Sequence, residues 1–411
     1  MRHPIPFGTD GIRGPFGIAP LDQDSLIHIA ETISVFLQKG TLAMARDTRS
    51  SGIEIVDILT KTLIKYGINV IDCGILPTAA LACVVAEEKL DLGIVITASH
   101  NPSSDNGIKL FGPSGHKLSK SEQQRFQDCF TRLPTPSPGT ASKHPNPSKP
   151  WRTRLPHPDL RGMRILLDCA HGSLSGFADS ILTQCGAQVT SIGSSPNGEN
   201  INDQVGALHP PTTSGTHDIA LCFDGDADRL IVCTKQGILD GDDILFLMRD
   251  AVNGPLVGTV MSNGGLDEAL QGRLLRSKVG DQHVFALMTE HNALLGAEPS
   301  GHIIFRDGEM PSGDGLYAAL RLLEHCSIPL VSDWKRWPTH QTSIRFTKSQ
   351  LPNGKRPSLE DWISMKEAKK TGHRLVVRYS GTEPKLRILV EGTQAEYYSE
   401  QIREEFLSKL L

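Results

Sequence analysis

The most constraining feature of this sequence is a repeated alternation of short apolar runs with segments of helical length. Short apolar runs are typical of buried strands, and apolar residues three or four apart are typical of helices. Such an alternation predicts an α/β protein with mostly parallel sheets. The runs are Ile68–Asp72, Leu92–Ile96, Arg164–Asp168, Gln188–Ile192, Ile219–Phe223, Leu230–Thr234, Gly258–Met261, Val284–Met288, His302–Phe305, Arg374–Arg378 and Arg387–Val390, and the helical segments include Leu21–Gln38, Ile53–Lys65 and Gly315–Cys326.

A Pro-rich stretch is the clearest boundary in the chain. Pro134–Pro158 is rich in Pro, Ser and Lys, which predicts an exposed linker that holds no regular helix. Further junctions are expected near Asp240 and over Asp333–Thr339. A length of 411 residues allows two to four domains at about 150 residues each. We predict four domains, at residues 1–140, 155–240, 241–333 and 339–411, of which the first three are related α/β domains.

Charge and hydropathy argue against several classes of protein. The chain has 42 Lys and Arg against 46 Asp and Glu, and its net charge of −4 argues against nucleic acid as a partner. No run of about 18 apolar residues occurs, and Met1–Pro4 begins no apolar signal segment. We therefore expect a cytoplasmic protein without a membrane span. The eight cysteines form no C-x-x-C pair, which favours reduced thiols over disulfides or a zinc site.

A polar loop follows the apolar run Leu92–Ile96. It carries Ser99 and His100, with Lys109 a few residues further on. A serine at the end of a buried strand is well placed to act as a nucleophile. A simple polar turn explains the same residues, because Ser, Asn and Pro all favour turns. From the residue types alone both interpretations stay open.

Three aspartates alternate in the loop after Ile219–Phe223. Asp224, Asp226 and Asp228 can direct three carboxylates into one space, where they repel each other unless a hard cation lies between them. A calcium-binding EF-hand loop is excluded, because Arg229 stands where that loop needs Gly. A few carboxylates suit Mg²⁺ that also binds a phosphate oxygen. A solvated acidic turn is the alternative.

Three further segments carry polar groups suited to a phosphosugar. Arg378, Ser380, Gly381, Thr382 and Arg387 combine hydroxyls, a tight turn and two guanidinium groups, which could bind an anion. Glu298, Ser300 and His302 could hydrogen-bond sugar hydroxyls, and a Gly-rich turn at Phe7–Gly14 carries Arg13. An ordinary turn and a surface histidine are the alternatives. Together the five loops favour phosphoryl transfer to or from a phosphorylated polyol, in a cleft between domains.

The five loops, with a sixth segment of sequence A-R-D-T-R-S-S-G, resemble the motifs of the α-D-phosphohexomutase superfamily in their order along the chain. The matching segments are Phe7–Gly14, Ala45–Gly52, Thr97–Lys109, Asp224–Arg229, Glu298–His302 and Arg378–Arg387. Within that superfamily the chain is most similar to bacterial phosphoglucosamine mutases, over nearly its whole length. The resemblance implies an α/β protein of four domains around a central cleft. Three related α/β domains with mostly parallel mixed sheets would precede a C-terminal α+β domain.

The resemblance also implies roles for single residues. Ser99 matches the serine that carries a phosphoryl group, and with Asp224, Asp226 and Asp228 it would bind one Mg²⁺. The other catalytic residues implied are His100, Lys109, Arg229 and Arg13, with Lys109 a candidate general acid or base. The substrate's non-reacting phosphate would be bound by Arg378, Ser380, Gly381, Thr382 and Arg387, and the sugar by Glu298, Ser300, His302, Lys278 and Asp281.

The implied reaction interconverts glucosamine 6-phosphate and glucosamine 1-phosphate through glucosamine 1,6-bisphosphate, which is also the activator. The implied partners are this phosphosugar and an unidentified source of the Ser99 phosphoryl group, with the chain a monomer or homodimer. A phosphomannomutase or phosphoglucomutase is one alternative, and a non-catalytic phosphosugar-binding protein is another. Three residues depart from the glucosamine pattern. Ala227 stands where Gly is usual, Gln282 stands where Arg would supply a fixed cation, and Pro299 stands where Asn is common.

Overall fold

The N-terminal part of the chain forms a six-stranded mixed sheet with helices on both faces. The structure is a computed structural model that describes residues 5, 7, 11–212, 215–308, 310–360, 362–380 and 384–410. The elements of this part are β1 (Ile12–Pro15), α1 (Gln23–Leu37), β2 (Gly40–Arg46), α2 (Ser51–Lys65), β3 (Ile68–Ile75), α3 (Thr78–Glu87), β4 (Leu92–Ile96), β5 (Asp105–Phe111), α4 (Lys120–Asp128), β6 (Ala141–Lys143) and α5 (Lys149–Arg152). The strand order is β1-β5-β4-β2-β3-β6, and β4, β2, β3 and β6 run parallel.

The two faces of this sheet bury different helices. Leu26 and Ile33 of α1 and Leu59 of α2 share one apolar cluster with the strands. Leu81 of α3 belongs to the cluster on the other face. Strand β4 is buried at all five positions, which is why its sequence is a continuous apolar run rather than an alternating one.

The second sheet has five strands in the order β11-β10-β9-β7-β8. Its elements are β7 (Arg164–Asp168), a 3₁₀ turn (Ser173–Gly176), α6 (Ala178–Gln184), β8 (Gln188–Ile192), β9 (Ile219–Phe223), β10 (Leu230–Thr234) and β11 (Gly237–Leu239). Strand β9 is parallel to β7 and antiparallel to β10.

The third sheet has four strands in the order β13-β12-β14-β15. Its elements are α7 (Gly241–Leu247), β12 (Leu256–Thr259), α8 (Gly265–Ala269), β13 (Leu274–Ser277), α9 (Asp281–Glu290), β14 (Leu295–Ala297), β15 (Ile303–Phe305) and α10 (Gly315–His325). Strand β14 is parallel to β12 and antiparallel to β15. In the same way, β4 is parallel to β2 and antiparallel to β5, and β9 is parallel to β7 and antiparallel to β10. The three sheets therefore share one local topology.

The fourth sheet is antiparallel throughout, in the order β16-β18-β17. Its elements are β16 (Thr339–Arg345), two 3₁₀ turns (Lys348–Gln350 and Pro352–Gly354), α11 (Ile363–Lys370), β17 (Arg374–Tyr379), β18 (Lys385–Glu391) and α12 (Ala395–Ser408). Each sheet with the helices named alongside it is one unit, numbered in chain order. The first three are α/β units and the fourth is of another kind, which confirms the expected fold class. The predicted domain boundaries stay predictions.

Two expectations about local structure are wrong. Val284–Met288 is not a strand but lies within α9, where Val284 and Met288, four residues apart, are buried on one helix face. Pro134–Pro158 is not an uninterrupted exposed linker without a helix, because β6 pairs with β3 and Lys149–Arg152 is helical. Trp151 of that short helix is fully buried, and its indole N–H donates to Asp314 at 2.5 Å.

All eight cysteines are free thiols, and seven of them are buried. Among the described residues no helix is both long enough and apolar enough to cross a membrane.

Candidate active site

The loops that carry the predicted chemistry follow equivalent strands in the first three sheets. Ser99 follows β4, the aspartate loop follows β9, and Glu298 follows β14. In sheets of this kind ligands bind beyond the carboxyl ends of the strands. The shared topology therefore explains why segments far apart in sequence form one site.

Ser99 is fully buried and its hydroxyl faces the aspartate loop. Its Oγ donates to Asp224 Oδ2 at 2.6 Å and lies 3.3 Å from His100 Nδ1. Its backbone has a φ of 54°, in the left-handed region that residues other than Gly rarely adopt. The carboxyl end of a buried strand thus presents a single hydroxyl to an acidic cluster.

The structure brings Asp224, Asp226 and Asp228 together. One carboxylate oxygen from each lies within 4.8 Å of the other two, and all three side chains are buried. Asp226 Oδ1 is buried without a hydrogen-bond partner in the structure. A burial of three acids and one unsatisfied oxygen is costly without positive charge nearby.

Three cationic side chains surround the aspartates. Lys109 Nζ lies 2.5 Å from Asp226 Oδ2 and 2.9 Å from Asp228 Oδ2. His302 Nε2 lies 2.9 Å from Asp228 Oδ1. Arg229 Nε lies 3.6 Å from Asp224 Oδ2.

Burial and charge move the pKa values of these groups in opposite directions. Burial, together with Asp228 and Asp226, raises the pKa of Asp224 to about 7. Burial opposes ionisation of Asp228 as well, but Lys109 and His302 hold its pKa well below the usual range. Burial alone would lower the pKa of His302, yet Asp228 outweighs it and the value rises to about 10. The cations present therefore neutralise Asp228 more fully than Asp224.

Lys109 and His100, which both belong to the first unit, differ in charge. Burial would lower the pKa of Lys109, but Asp226 and Asp228 raise it above the usual value, so the side chain is an ammonium. Burial, with Arg229 and Arg13, lowers the pKa of His100 to about 3, so its imidazole is neutral. Arg13 lies on β1 and donates to the carbonyl of Ala98 at 3.3 Å.

The loop that is predicted to contact the sugar touches the same cluster on its other side. His302 Nδ1 lies 3.3 Å from Glu298 Oε2, and Glu298 Oε1 accepts from the backbone N–H of Gly280 at 2.9 Å. Glu298 and His302 are buried, whereas Ser300 and Lys278 are exposed. Asp281 begins α9 and pairs with Lys117 of the first unit at 2.6 Å.

A cavity of about 760 Å³ lies between the first and third units. Its lining includes His116 and Lys117 on one side and Asp281, Gln282 and Phe285 on the other. Lys117 and Gln282 also line a small void that reaches Lys109, so the cavity adjoins the acidic cluster. Gln282 accepts a hydrogen bond from Gln123 at 3.1 Å.

The predicted anion-binding turn lies between β17 and β18. Arg378 and Arg387 face each other across these antiparallel strands. Burial and the charge of Arg387 lower the pKa of Arg378, whose Nε is buried without a hydrogen-bond partner in the structure. Like charges directly opposite each other destabilise a sheet, and an anion bound between the two guanidinium groups would reduce that repulsion. Ser380 is buried beside them, and Gly381 and Thr382 lie outside the described residues.

The fourth sheet is attached to the third unit at the end remote from this turn. Glu391 accepts from the backbone N–H of Gly264 at 3.0 Å, and Arg374 donates to the carbonyl of Val260. Thr339 accepts from the side-chain amide of Asn263 at 3.0 Å. The predicted anion-binding turn therefore lies at the opposite end of the fourth sheet from these contacts.

Sequence reasoning missed several residues that support the site. Thr78, at the start of α3, donates to Asp226 through its hydroxyl and to the Asp226 carbonyl through its backbone N–H. Asp47 and Arg49 form a fully buried ion pair beneath the Ser99 loop. Asp47 and Arg49 belong to the matching segment Ala45–Gly52, but nothing in their spacing shows what they contact.

Comparisons with known proteins agree with this architecture. Family models described as phosphoglucomutase/phosphomannomutase match residues 4–136 (alpha/beta/alpha domain I), 240–333 (alpha/beta/alpha domain III) and 361–409 (C-terminal domain). The phosphoglucosamine mutase of Magnetococcus marinus is 37% identical over 424 residues, which cover 94% of this chain and 87% of that protein.

Solved structures show the same fold. A phosphoglucomutase/phosphomannomutase family protein from Burkholderia thailandensis aligns with a TM-score of 0.78 at 22% identity, covering 100% of this chain and 97% of that one. The N-acetylphosphoglucosamine mutase of Aspergillus fumigatus, in complex with GlcNAc-6P and magnesium, aligns with a TM-score of 0.65 at 14% identity, covering 97% and 96%. The chain therefore belongs to the phosphoglucomutase/phosphomannomutase family of the α-D-phosphohexomutase superfamily, and it is an isomerase, a phosphosugar mutase.

Proposed function

We propose that the protein interconverts glucosamine 6-phosphate and glucosamine 1-phosphate through a phosphoserine at Ser99 and a glucosamine 1,6-bisphosphate intermediate. The observation that carries the proposal is the 2.6 Å contact between Ser99 Oγ and Asp224 in a buried triad of carboxylates. A simple polar turn would not need to bury the serine hydroxyl against a cluster of three carboxylates. The phosphoglucosamine mutase relatives, at 33–37% identity, support the choice of sugar.

The donor set of the acidic cluster fits Mg²⁺. Its atoms are hard carboxylate oxygens, and one of them is buried and unpartnered. Burial and the negative charges of Asp228 and Asp226 raise the pKa of Asp224, and a cation bound between the three carboxylates would oppose that rise. Asp224, Asp226 and Asp228 would hold one ion, with an oxygen of the Ser99 phosphoryl group as a further ligand. When bound, Mg²⁺ would neutralise charge on the phosphoryl group being transferred.

The transfer needs one group to move a proton. The bond between phosphorus and the Ser99 oxygen breaks, and a bond forms between phosphorus and the attacking sugar hydroxyl. The Ser99 oxygen gains a proton and the sugar hydroxyl loses one. We assign both proton transfers to Lys109, because its two carboxylate partners keep it an ammonium. It would donate a proton to the Ser99 oxygen and then accept the proton of the sugar hydroxyl. Arg229, His100 and Arg13 would stabilise negative charge or orient the reacting groups.

The second half of the reaction needs the bisphosphate to turn around. Either phosphate must then occupy the turn of Arg378 and Arg387, and sugar contacts from Glu298, Ser300 and His302 must suit both orientations. A cleft that closes would exclude water, which would otherwise hydrolyse the phosphoserine. We expect the fourth unit to close it by pivoting about residues 333–339.

Substrate choice rests on carboxylates close to the cleft. The 2-amino group of the sugar phosphate is largely an ammonium at neutral pH, and Asp281 or Glu298 would favour it. The second candidate function is a phosphomannomutase or phosphoglucomutase, which Gln282 favours because it supplies no fixed charge. The proposal requires no protein or nucleic-acid partner. It does require an unidentified first donor of the Ser99 phosphoryl group, and it would operate in the cytoplasm.

The test follows ³¹P NMR of glucosamine 6-phosphate with enzyme, Mg²⁺ and a trace of sugar bisphosphate. Glucose and mannose 6-phosphates run in parallel, and Ser99→Ala is the control. Preferred formation of glucosamine 1-phosphate, lost in the control, supports the proposal. Preference for glucose or mannose phosphate would move the substrate but keep the mechanism. No turnover by enzyme already phosphorylated on Ser99 would favour a non-catalytic phosphosugar-binding protein.

A further inference from the structure

The backbone of Ser99 is held in a conformation that it would not adopt alone. Its φ of 54° places a side chain with a Cβ in the left-handed region, which L residues avoid. Ser99 is also fully buried, so water does not satisfy its backbone groups. Contacts from the surrounding protein must therefore hold both its N–H and its carbonyl.

Arg49 binds the carbonyl side of the loop. Its guanidinium is fully buried and donates to the carbonyls of Ser99 at 3.1 Å and Asn101 at 2.8 Å. It also donates to the carbonyls of Pro102 and of Asp105, the latter at 2.9 Å. One rigid fork thus joins four carbonyls of a single loop, which the three donors of a lysine could not all reach.

Asp47 binds the other side of the same residue. It accepts from Arg49 Nε at 2.9 Å and from the Thr97 hydroxyl at 2.7 Å. The Thr97 oxygen in turn accepts the backbone N–H of Ser99 at 2.8 Å. Asp47 and Arg49 therefore control the N–H and the carbonyl of Ser99 together.

The second unit closes the arrangement. The side-chain amide of Asn202 donates to the carbonyls of Ser99 and Asn101 at 2.9 and 3.1 Å. Gly225 lies so close that a Cβ there would meet the Ser99 carbonyl oxygen at 2.6 Å. With its backbone fixed on every side, Ser99 keeps only its side-chain rotation, and its Oγ faces Asp224.

We propose that Asp47 and Arg49 are positioning residues that hold the Ser99 backbone so that its oxygen can accept and release the phosphoryl group. The inference rests on the proposed function of Ser99. It adds to that mechanism two residues that would touch neither the substrate nor the metal ion. Phosphoryl transfer depends on alignment, and a misplacement of about 1 Å can cost about 100-fold in rate. The pair thus acts on the chemical step rather than on substrate binding.

The test compares Arg49→Lys, Asp47→Asn and Asn202→Gly with the wild-type enzyme. Arg273→Lys is the matched control, because Arg273 also donates to three backbone carbonyls, at 2.8–2.9 Å, in the third unit away from the site. We expect Arg49→Lys to lower kcat about 100-fold with little change in KM. The ³¹P resonance of the Ser99 phosphate, formed with glucosamine 1,6-bisphosphate, should also shift and broaden. Arg273→Lys should leave kcat, KM and the resonance unchanged.

Failure of the inference and failure of the proposed function give different results. Equal kcat and an unchanged ³¹P resonance in Arg49→Lys would overturn the inference while leaving phosphoserine catalysis intact. Full activity of Ser99→Ala would overturn the proposed function itself. If Arg49→Lys does not fold, Asp47→Asn decides, because Asn keeps the shape of the Asp47 side chain and removes the charge that pairs with Arg49. An unchanged kcat in that variant would also count against a positioning role for the pair.

Discussion

Arg378→Gln should weaken substrate binding and stabilise the fold at the same time. Arg378 faces Arg387 across the antiparallel pair β17–β18, and its Nε is buried without a hydrogen-bond partner in the structure. If the substrate's non-reacting phosphate lies between the two side chains, the substitution removes a charge-assisted hydrogen bond worth about 1.5–3 kcal/mol. That loss corresponds to a rise in KM of about 10- to 150-fold.

The effect on stability should have the opposite sign. Two like charges opposite each other in a sheet cost roughly 0.2–1 kcal/mol, so the free energy of unfolding of the phosphate-free protein should rise by that amount. Both quantities are measured on the same preparations, by steady-state kinetics and by urea denaturation. Lys370→Gln, an exposed change of the same charge in the last turn of α11, is the control for KM and should leave it unchanged. Unchanged KM together with lower stability would refute a phosphate site here and make Arg378 structural.

Three further predictions test other parts of the account. Lys109→Met leaves Asp226 and Asp228 without their shared cation, so the free energy of unfolding in EDTA should fall by about 3–5 kcal/mol. Mg²⁺ should restore part of that stability, and a loss of stability that Mg²⁺ does not change would count against the metal site. Burial raises the pKa of Asp314 from 3.8 to about 6, so between these pH values the folded protein binds more protons than the unfolded chain. The free energy of unfolding should therefore fall as pH rises through that window, by about 3 kcal/mol in total relative to Asp314→Asn. Parallel pH profiles for the two proteins would contradict this prediction. Asp281→Asn should reduce the preference for glucosamine over glucose phosphate about tenfold, measured as the ratio of kcat/KM values, and an unchanged ratio would remove Asp281 from sugar selection.

The central strands were predictable because burial of most of their side chains leaves a short, nearly continuous apolar run. Leu92–Ile96, Arg164–Asp168 and Ile219–Phe223 are strands with the predicted bounds. Val284–Met288 carries the same kind of run but is helical. A short apolar run fits either a strand or a helix. This run is helical because it begins one turn into α9 and packs against β12 and β14 of the third unit.

The candidate site was predictable to the extent that its chemistry lies in local motifs. The alternating aspartates converge as expected, because a tight loop brings side chains two residues apart into one space. Contacts between distant segments were not predictable. Lys109 and Asp226 are 117 residues apart, and Arg49 binds backbone carbonyls, which leave no trace in the sequence. Trp151 likewise gives no sign in a Pro-rich segment that it will be buried against Asp314.

The most direct test of the account is a single turnover of enzyme labelled with ³²P on Ser99. Labelled enzyme is mixed with unlabelled glucosamine 6-phosphate and Mg²⁺, and the products are separated over time. We predict that the label leaves Ser99 for glucosamine 1,6-bisphosphate and then appears in a glucosamine monophosphate. Label that stays on the protein, or appears only as inorganic phosphate, would contradict it.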